Sequence, residues 1–261
     1  MSAAQEVRHA FGRAAHCYDA VADYQQEVGK RLLAGRPWLE LSGRALDLGC
    51  GTGHGTALLQ HGFPALNLTA LDFALPMVSH LATVLSPPPP RLCADAQALP
   101  FRPDSFDFCW SSLTMQWCDP VQVFAEIARI LKPGGRLALS TLGPETFAEL
   151  RQAFAGVDGY RHTIDFLPES SLKAALAETG LKAVRWERKT ITRYRPDLRS
   201  LLAGVRDLGA NRVTGGNRRS GLMGKAAWLK LQAAYETLRT PQGLPLSYDT
   251  FFIYAEKPLA P

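Results

Sequence analysis

The stretch ALDLGCGTGHG at residues 45–55 constrains the fold of this chain most strongly. Its apolar start is typical of a buried strand, four glycines follow at alternate positions, and a helix-compatible segment comes next. Glycine permits the tight turns of such a loop, and a helix N-terminus presents backbone N–H groups to a ligand. We therefore predict a strand, a nucleotide-binding loop and a helix, in that order.

Strand-like and helix-like segments alternate along most of the chain. Strands are predicted at 45–48, 68–72, 91–94, 106–111, 136–141, 182–194 and 247–256. Helices are predicted at 56–61, 76–85, 121–131, 144–154, 169–179, 196–208 and 225–239. This alternation indicates an α/β fold with a parallel sheet covered by helices on both faces.

The spacing of the glycines distinguishes between classes of nucleotide site. Residues 49–54 do not match the dinucleotide pattern G-x-G-x-x-G, and no Lys-Ser/Thr pair follows as it would in a P-loop. Asp47 lies two residues before Gly49, where a carboxylate would repel a pyrophosphate but would suit an ammonium group. S-adenosylmethionine has no phosphate and carries ammonium and sulfonium charges. We therefore predict S-adenosylmethionine as the cofactor and S-adenosylhomocysteine as its product.

Two further acids follow the next two predicted strands. Asp72 ends the second strand, where a carboxylate can accept hydrogen bonds from both ribose hydroxyls. Asp95 ends the third strand and could accept from the adenine amino group. Each Asp alone could be a helix cap or a turn former, but three acids at successive strand ends favour a cofactor site. The six histidines are scattered without ligand spacing, so no metal site is predicted.

Motifs over roughly residues 44–141 resemble those of class I S-adenosylmethionine-dependent methyltransferases. They are LDLGCGTG, LDFALPM, ADAQALPF, FDFCWSSLTMQWC and RILKPGGRL. The resemblance implies a Rossmann-like, seven-stranded sheet whose last strand, 247–256, is antiparallel. It also implies that the cofactor is bound by Asp47, Gly49, Cys50, Gly51, Asp72, Phe73, Met77, Asp95, Ala96, Ser111 and Gln116.

The flanking segments resemble the malonyl-acyl-carrier-protein O-methyltransferases of bacterial biotin synthesis. These segments include AFGRAAHCYDAVADYQ, STLGPETFAELR, LRSLLAGVRDLGAN and LPLSYDTFFIYAEKP. The resemblance implies methyl transfer to the free carboxylate of a malonyl thioester on acyl carrier protein. The chain departs from the family at Ser112, where Asn is common, and at Arg206, where Lys is common. Both replacements keep polarity or charge.

The expected chemistry agrees with this family. A malonyl carboxylate is ionised near neutral pH, since its reference pKa is about 4, so it needs no general base. The enzyme must align it with the sulfonium methyl group and exclude water. We predict that Tyr18 orients the carboxylate or shields the methyl group, although it could simply pack. We predict that Arg206 clamps the carboxylate bidentately, with docking of the carrier protein as its alternative role.

Charge is distributed unevenly along the chain. Residues 182–239 contain 14 Lys and Arg against four Asp and Glu, a net charge of +10, whereas the remainder carries −5. We predict a single domain with an N-terminal lid at 1–40, a cofactor-binding core at 41–194, a basic helical insertion at 195–243 and a terminal strand at 244–258. The basic region 182–239 is predicted to dock the acidic carrier protein, although it could be a solvated helix face.

Other partners and functions are disfavoured but stay open. The arginines lack the aromatic ladder typical of RNA-binding modules, so nucleic acid is an unfavourable partner. The alternatives are a methyltransferase of another small acid or quinone precursor, an RNA methyltransferase, and a non-catalytic assembly factor. The sequence has no run of 18 apolar residues and no signal-peptide pattern, which predicts a cytoplasmic protein without a membrane segment.

Overall fold

A seven-stranded sheet forms the centre of the computed structural model, which describes residues 3–14, 22–207 and 223–259. Its strands are β1 (Gly43–Leu48), β2 (Leu66–Asp72), β3 (Arg91–Cys93), β4 (Phe106–Ser112), β5 (Leu131–Leu142), β6 (Lys182–Arg195) and β7 (Leu244–Glu256). The strand order is β3-β2-β1-β4-β5-β7-β6. Strands β1 to β5 pair in parallel, whereas β7 is antiparallel to both β5 and β6. The predicted sheet and its antiparallel last strand are confirmed.

Nine α-helices lie within the described residues. They are α1 (Ala3–Ala14), α2 (Asp23–Ala34), α3 (His54–Gly62), α4 (Leu75–Val84), α5 (Pro120–Ile130), α6 (Ala148–Ala155), α7 (Glu169–Ala177), α8 (Leu198–Asp207) and α9 (Lys225–Glu236). The predicted start of α6 at residue 144 was wrong, because Phe147 before the helix has a left-handed backbone, with φ of 62°. No helix among the described residues combines the length and apolarity needed to cross a membrane.

The order of the strands determines where a ligand can bind. From β1 the chain first adds β2 and β3 on one side and then returns to add β4 on the other side. In open α/β sheets a crevice forms at such a switch point, outside the carboxyl ends of the strands. Residues that follow β1, β2 and β4 therefore meet at one edge of the sheet.

Helix α2 packs against the sheet beside this crevice and is joined to it by a hydrogen bond. The Tyr24 ring stacks on Tyr248 of β7 with centroids 3.7 Å apart, and its hydroxyl is 2.8 Å from Thr250 Oγ1. Both Tyr24 and Thr250 are buried. On the neighbouring turn, a Cβ at Gly29 would lie 3.6 Å from the His54 ring at the start of α3. Helix α2 thus packs closely over the beginning of α3.

Candidate active site

The glycine loop between β1 and α3 is shaped by its backbone. Gly49 and Gly51 have φ of 78° and 53°, which is the left-handed region that favours glycine. A Cβ at Gly49 would overlap the Thr114 side chain, so this position requires glycine for space as well. A Cβ at Gly51 would meet nothing within 4 Å. Gly51 therefore faces open space, as a loop that cradles a ligand must.

A first cavity, with an empty volume of about 800 Å³, opens beside this loop. That volume is in the range of small-molecule and cofactor sites. Seven of the predicted cofactor-binding residues and ten other residues line this cavity. The lining residues are Val7, Phe11, Gly49, Gly51, Leu71, Asp72, Phe73, Met77, Ala94, Asp95, Ala96, Gln97, Ser112, Leu113, Thr114, Trp117 and Cys118.

Asp72 is held in place by the backbone on both of its oxygens. Gly51 N donates to Oδ2 at 3.0 Å, and Ala74 N donates to Oδ1 at 2.8 Å. The side chain is buried, and burial raises the pKa of Asp72 although these N–H groups act in the opposite direction. A carboxylate has about four acceptor sites, so each oxygen can accept one further hydrogen bond. The geometry suits a ligand with two adjacent hydroxyls.

Asp95 also lines the first cavity and is exposed. Its Oδ1 accepts from Gln97 N at 2.9 Å. Gln97 in turn accepts from Asp119 N at 2.7 Å, which ties this turn to the start of α5. Within the described residues both hydrogen bonds to this carboxylate go to Oδ1, which leaves Oδ2 to accept from a donor in the cavity.

A second cavity, with an empty volume of about 520 Å³, meets the first at Gly49, Gly51 and Ser112. Its remaining lining residues are Ala22, Gln25, Gln26, Gly29, Asp47, Cys50, Thr52, His54, Gly55 and Trp110. Asp47 is 1% exposed, and its Oδ2 accepts from Thr56 Oγ1 at 2.6 Å. Burial raises the pKa of Asp47 to about 7. A cation bound in this cavity would stabilise the ionised carboxylate.

Comparison with known proteins places the chain in a family. A model described as "Methyltransferase domain" matches residues 46–139. Over 96% of its length the chain is 41% identical to the malonyl-[acyl-carrier protein] O-methyltransferase of Dechloromonas aromatica, and it covers 94% of that protein. The chain belongs to the malonyl-[acyl-carrier protein] O-methyltransferase family. It is a methyltransferase by this membership.

A fused relative and a distant structure extend the comparison. The methyltransferase is 39% identical over 97% of its length to the biotin biosynthesis bifunctional protein BioHC of Cellvibrio japonicus, and it covers 50% of that protein. A geranyl diphosphate C-methyltransferase from Streptomyces coelicolor, solved with S-adenosyl-L-homocysteine, has a similar fold. The TM-score is 0.53 at 14% identity, over 88% of this chain and 78% of the other.

Two of the predicted cofactor residues of the methyltransferase lie away from the first two cavities. Ser111 is 2% exposed, and its Oγ donates to the Leu48 carbonyl at 2.9 Å, so its side chain joins β4 to β1. The next residue, Ser112, lines both cavities. Gln116 lines a third cavity, which shares Cys118 with the first. Its Nε2 donates to the Leu113 carbonyl at 2.7 Å.

Helix α1 contributes residues that the sequence reasoning missed. Val7 and Phe11 line the first cavity together with Gly49 and Gly51 of the glycine loop. The Phe11 ring lies edge-on to Phe73 and Trp117, with centroids 6.3 Å and 5.4 Å apart. The spacing of Val7 and Phe11, four positions apart in an otherwise polar segment, was the available sign of an amphipathic helix.

Neither predicted catalytic side chain of the methyltransferase belongs to the described part of the structure. Tyr18 lies outside the described residues, in the segment between α1 and α2. Arg206 is the penultimate residue of α8, and its side chain is not among those described. Their roles stay predictions.

Many basic side chains of region 182–239 are paired within the methyltransferase itself. Arg188 donates from Nε and Nη2 to the buried carboxylate of Asp249, at 2.8 Å and 2.9 Å. Arg193 contacts Asp23 and Glu27 of α2, at 3.2 Å and 2.6 Å. The excess positive charge of this region is therefore partly compensated by acids from elsewhere in the chain.

Proposed function

We propose that this methyltransferase transfers the methyl group of S-adenosylmethionine to the free carboxylate of a malonyl thioester on acyl carrier protein. The products are S-adenosylhomocysteine and the malonyl methyl ester that primes biotin synthesis. The observation that carries the proposal is the identity of 41% over nearly the full length of an enzyme named for this substrate. The two joined cavities at the switch point of the sheet support it, because they suit an elongated zwitterionic cofactor.

The described residues fit S-adenosylmethionine along its length. In the first cavity, Asp72 would accept hydrogen bonds from the ribose hydroxyls and Asp95 from the adenine amino group. The side chains of Phe73 and Met77 line the same cavity and would provide apolar contact. Asp47 in the second cavity would favour the cationic amino-acid end. When bound, the cofactor supplies an electrophilic methyl group on a sulfonium.

The transfer requires no proton movement by the chain. A carboxylate oxygen uses an electron pair to form the new O–C bond, and the pair of the breaking C–S bond stays on sulfur. The contribution of the protein is alignment and exclusion of water. In this proposal Tyr18 closes the site from the N-terminal lid, and Arg206 orients the malonyl carboxylate.

The proposed partner is malonyl acyl carrier protein, docked on the basic region 182–239. Lys225 and Lys230 of α9 are exposed and offer positive charge to an acidic surface. Complementary charge of this kind mainly accelerates and orients encounter.

The experiment that tests the function is a comparison of acceptors with methyl-labelled S-adenosylmethionine. We expect label on malonyl acyl carrier protein, in a base-labile ester. Acetyl acyl carrier protein is the matched control, because it has the same carrier and thioester but no free carboxylate, and it should stay unlabelled. Labelling of total RNA or of a quinone precursor, with none on the malonyl substrate, would replace the proposal by one of the alternatives.

A further inference from the structure

Among the side chains that line the second cavity, Oε1 of Gln25, on α2, and Nε1 of Trp110, on β4, are buried without a hydrogen-bond partner within the described residues. Both residues line the cavity that also contains Asp47. Most buried polar atoms in proteins are paired, so an unpaired acceptor and an unpaired donor in one cavity indicate a ligand that supplies both partners.

The register of the sheet places the side chains of Trp110 and Asp47 next to each other on one face. The two residues are directly paired on the adjacent strands β4 and β1, so their side chains project on the same face. A Cβ at Gly55 would lie 2.8 Å from Trp110 Nε1 and 3.3 Å from Asp47 Oδ2. The indole N–H and the carboxylate therefore face one region at the start of α3.

The charge of the cavity limits how a zwitterion could be held there. None of its described lining residues is Lys or Arg, and Asp47 is the acid among them. A ligand carboxylate in this cavity would therefore be met by donors other than Lys and Arg side chains, and the indole N–H of Trp110 is one such donor. An indole N–H can only donate, whereas an amide oxygen can only accept.

The position of Gln25 is fixed by its neighbours on α2. Tyr24 is locked against β7, and Arg193 of β6 binds the carboxylates of Asp23 and Glu27 on either side. The helix is therefore held by contacts on both sides of Gln25, whose side chain lines the second cavity together with Gly49 and Gly51.

We infer that Gln25 Oε1 accepts a hydrogen bond from the ammonium of the cofactor, and that Trp110 Nε1 donates one to its carboxylate. The inference rests on the proposed use of S-adenosylmethionine and deepens it. It assigns the recognition of the amino-acid end to α2 and β4, in addition to the glycine loop.

The test uses three ligands that differ only near this end. S-adenosylhomocysteine has both groups, decarboxylated S-adenosylhomocysteine keeps the amine alone, and methylthioadenosine has neither, while all three are thioethers. Calorimetry should show that Gln25→Met weakens the first two ligands about tenfold or more and leaves methylthioadenosine unchanged. Trp110→Phe should weaken S-adenosylhomocysteine by a similar factor and leave both truncated ligands unchanged.

Matched control variants are available for both substitutions. Trp186→Phe removes another buried indole N–H that has no partner among the described residues, on β6 away from both cavities. Gln60→Met replaces a glutamine of α3 whose Nε2 lies 3.4 Å from the Pro87 carbonyl. Neither control should change the affinity for any of the three ligands.

A second readout does not depend on the stability of the Trp110 variant. In nitrogen-15 spectra, the Trp110 indole resonance should move downfield with S-adenosylhomocysteine and stay in place with methylthioadenosine. Equal losses of affinity for all three ligands, or unchanged affinity of both variants, would overturn the inference alone. A wild-type protein that does not bind S-adenosylhomocysteine would instead overturn the proposed function, and the inference with it.

Discussion

Replacement of Asp47 by Asn should separate stability from cofactor binding. In the folded protein burial raises the pKa of Asp47 to about 7 from its ordinary 3.8, with Asp72 adding to the rise and the Thr56 hydroxyl opposing it. Between about pH 4 and pH 7, Asp47 is therefore mostly protonated in the folded state and mostly ionised in the unfolded state. Stability must then fall as the pH rises from about 4 to about 7.

The size of the effect follows from the two pKa values. Between pH 5 and pH 8 the linkage relation gives a loss of roughly 2 to 3 kcal/mol in the free energy of unfolding from Asp47 alone. An amide does not titrate, so Asp47→Asn should lack this loss. Thr56 Oγ1 can still donate to the Asn oxygen, and any cost of the substitution that is independent of pH cancels when the two pH values are compared.

The assay is urea unfolding of both proteins without ligand, at pH 5 and at pH 8. We expect the variant to gain roughly 2 to 3 kcal/mol relative to wild type on going from pH 5 to pH 8. At pH 8 the same variant should bind S-adenosylhomocysteine more weakly, because it has lost the charge that favours the ammonium. Parallel pH profiles for the two proteins would refute a buried, titrating Asp47.

Three further predictions concern the proposed cofactor and substrate contacts. Asp72→Asn should weaken S-adenosylhomocysteine by about 1.5–3 kcal/mol in calorimetry, since a charged acceptor is lost, and unchanged affinity would remove the ribose contact. Reversal of both Lys225 and Lys230 to Glu should slow methylation of malonyl acyl carrier protein but not of malonyl-coenzyme A. That defect should shrink at high ionic strength, where exposed charges are screened, and equal defects on both substrates would argue against docking at α9. Arg206→Ala should impair both substrates alike with little salt dependence, whereas a salt-sensitive defect confined to the carrier substrate would identify a docking residue.

The cavity-lining acids could be predicted because their positions depend on local sequence and on one rule of sheet geometry. Asp72 ends β2, Asp95 follows β3, and parallel strands bring their carboxyl ends to one edge. The orientation of side chains within β4 was harder. Successive residues of a strand face opposite ways, so Ser111 points to the Leu48 carbonyl while Ser112 lines the cavities. The motif FDFCWSSLTMQWC predicted where this strand ends, but it did not predict which of its residues face the cavities.

The packing of helix α2 against the sheet could not be predicted from local patterns, although an N-terminal lid was predicted. Tyr24 meets Thr250 across 226 positions of sequence, and that contact places α2 over the glycine loop. Helix α2 has adjacent Gln25 and Gln26, and local sequence does not show which of them faces a ligand. Gln25 ends the family-like segment AFGRAAHCYDAVADYQ, but its place in the lining of the second cavity depends on this packing.

The charge count of region 182–239 also depends on tertiary structure for its meaning. Strand β6 is an edge of the sheet, and charged side chains protect such edges from pairing with other chains. Arg188 and Arg193 of this strand are bound to Asp249 and to the acids of α2, so their charge is compensated where it lies. The net charge of +10 thus overstates what β6 offers to a partner. An acidic carrier protein should respond instead to the exposed lysines of α9, and this is why the charge reversal is placed there.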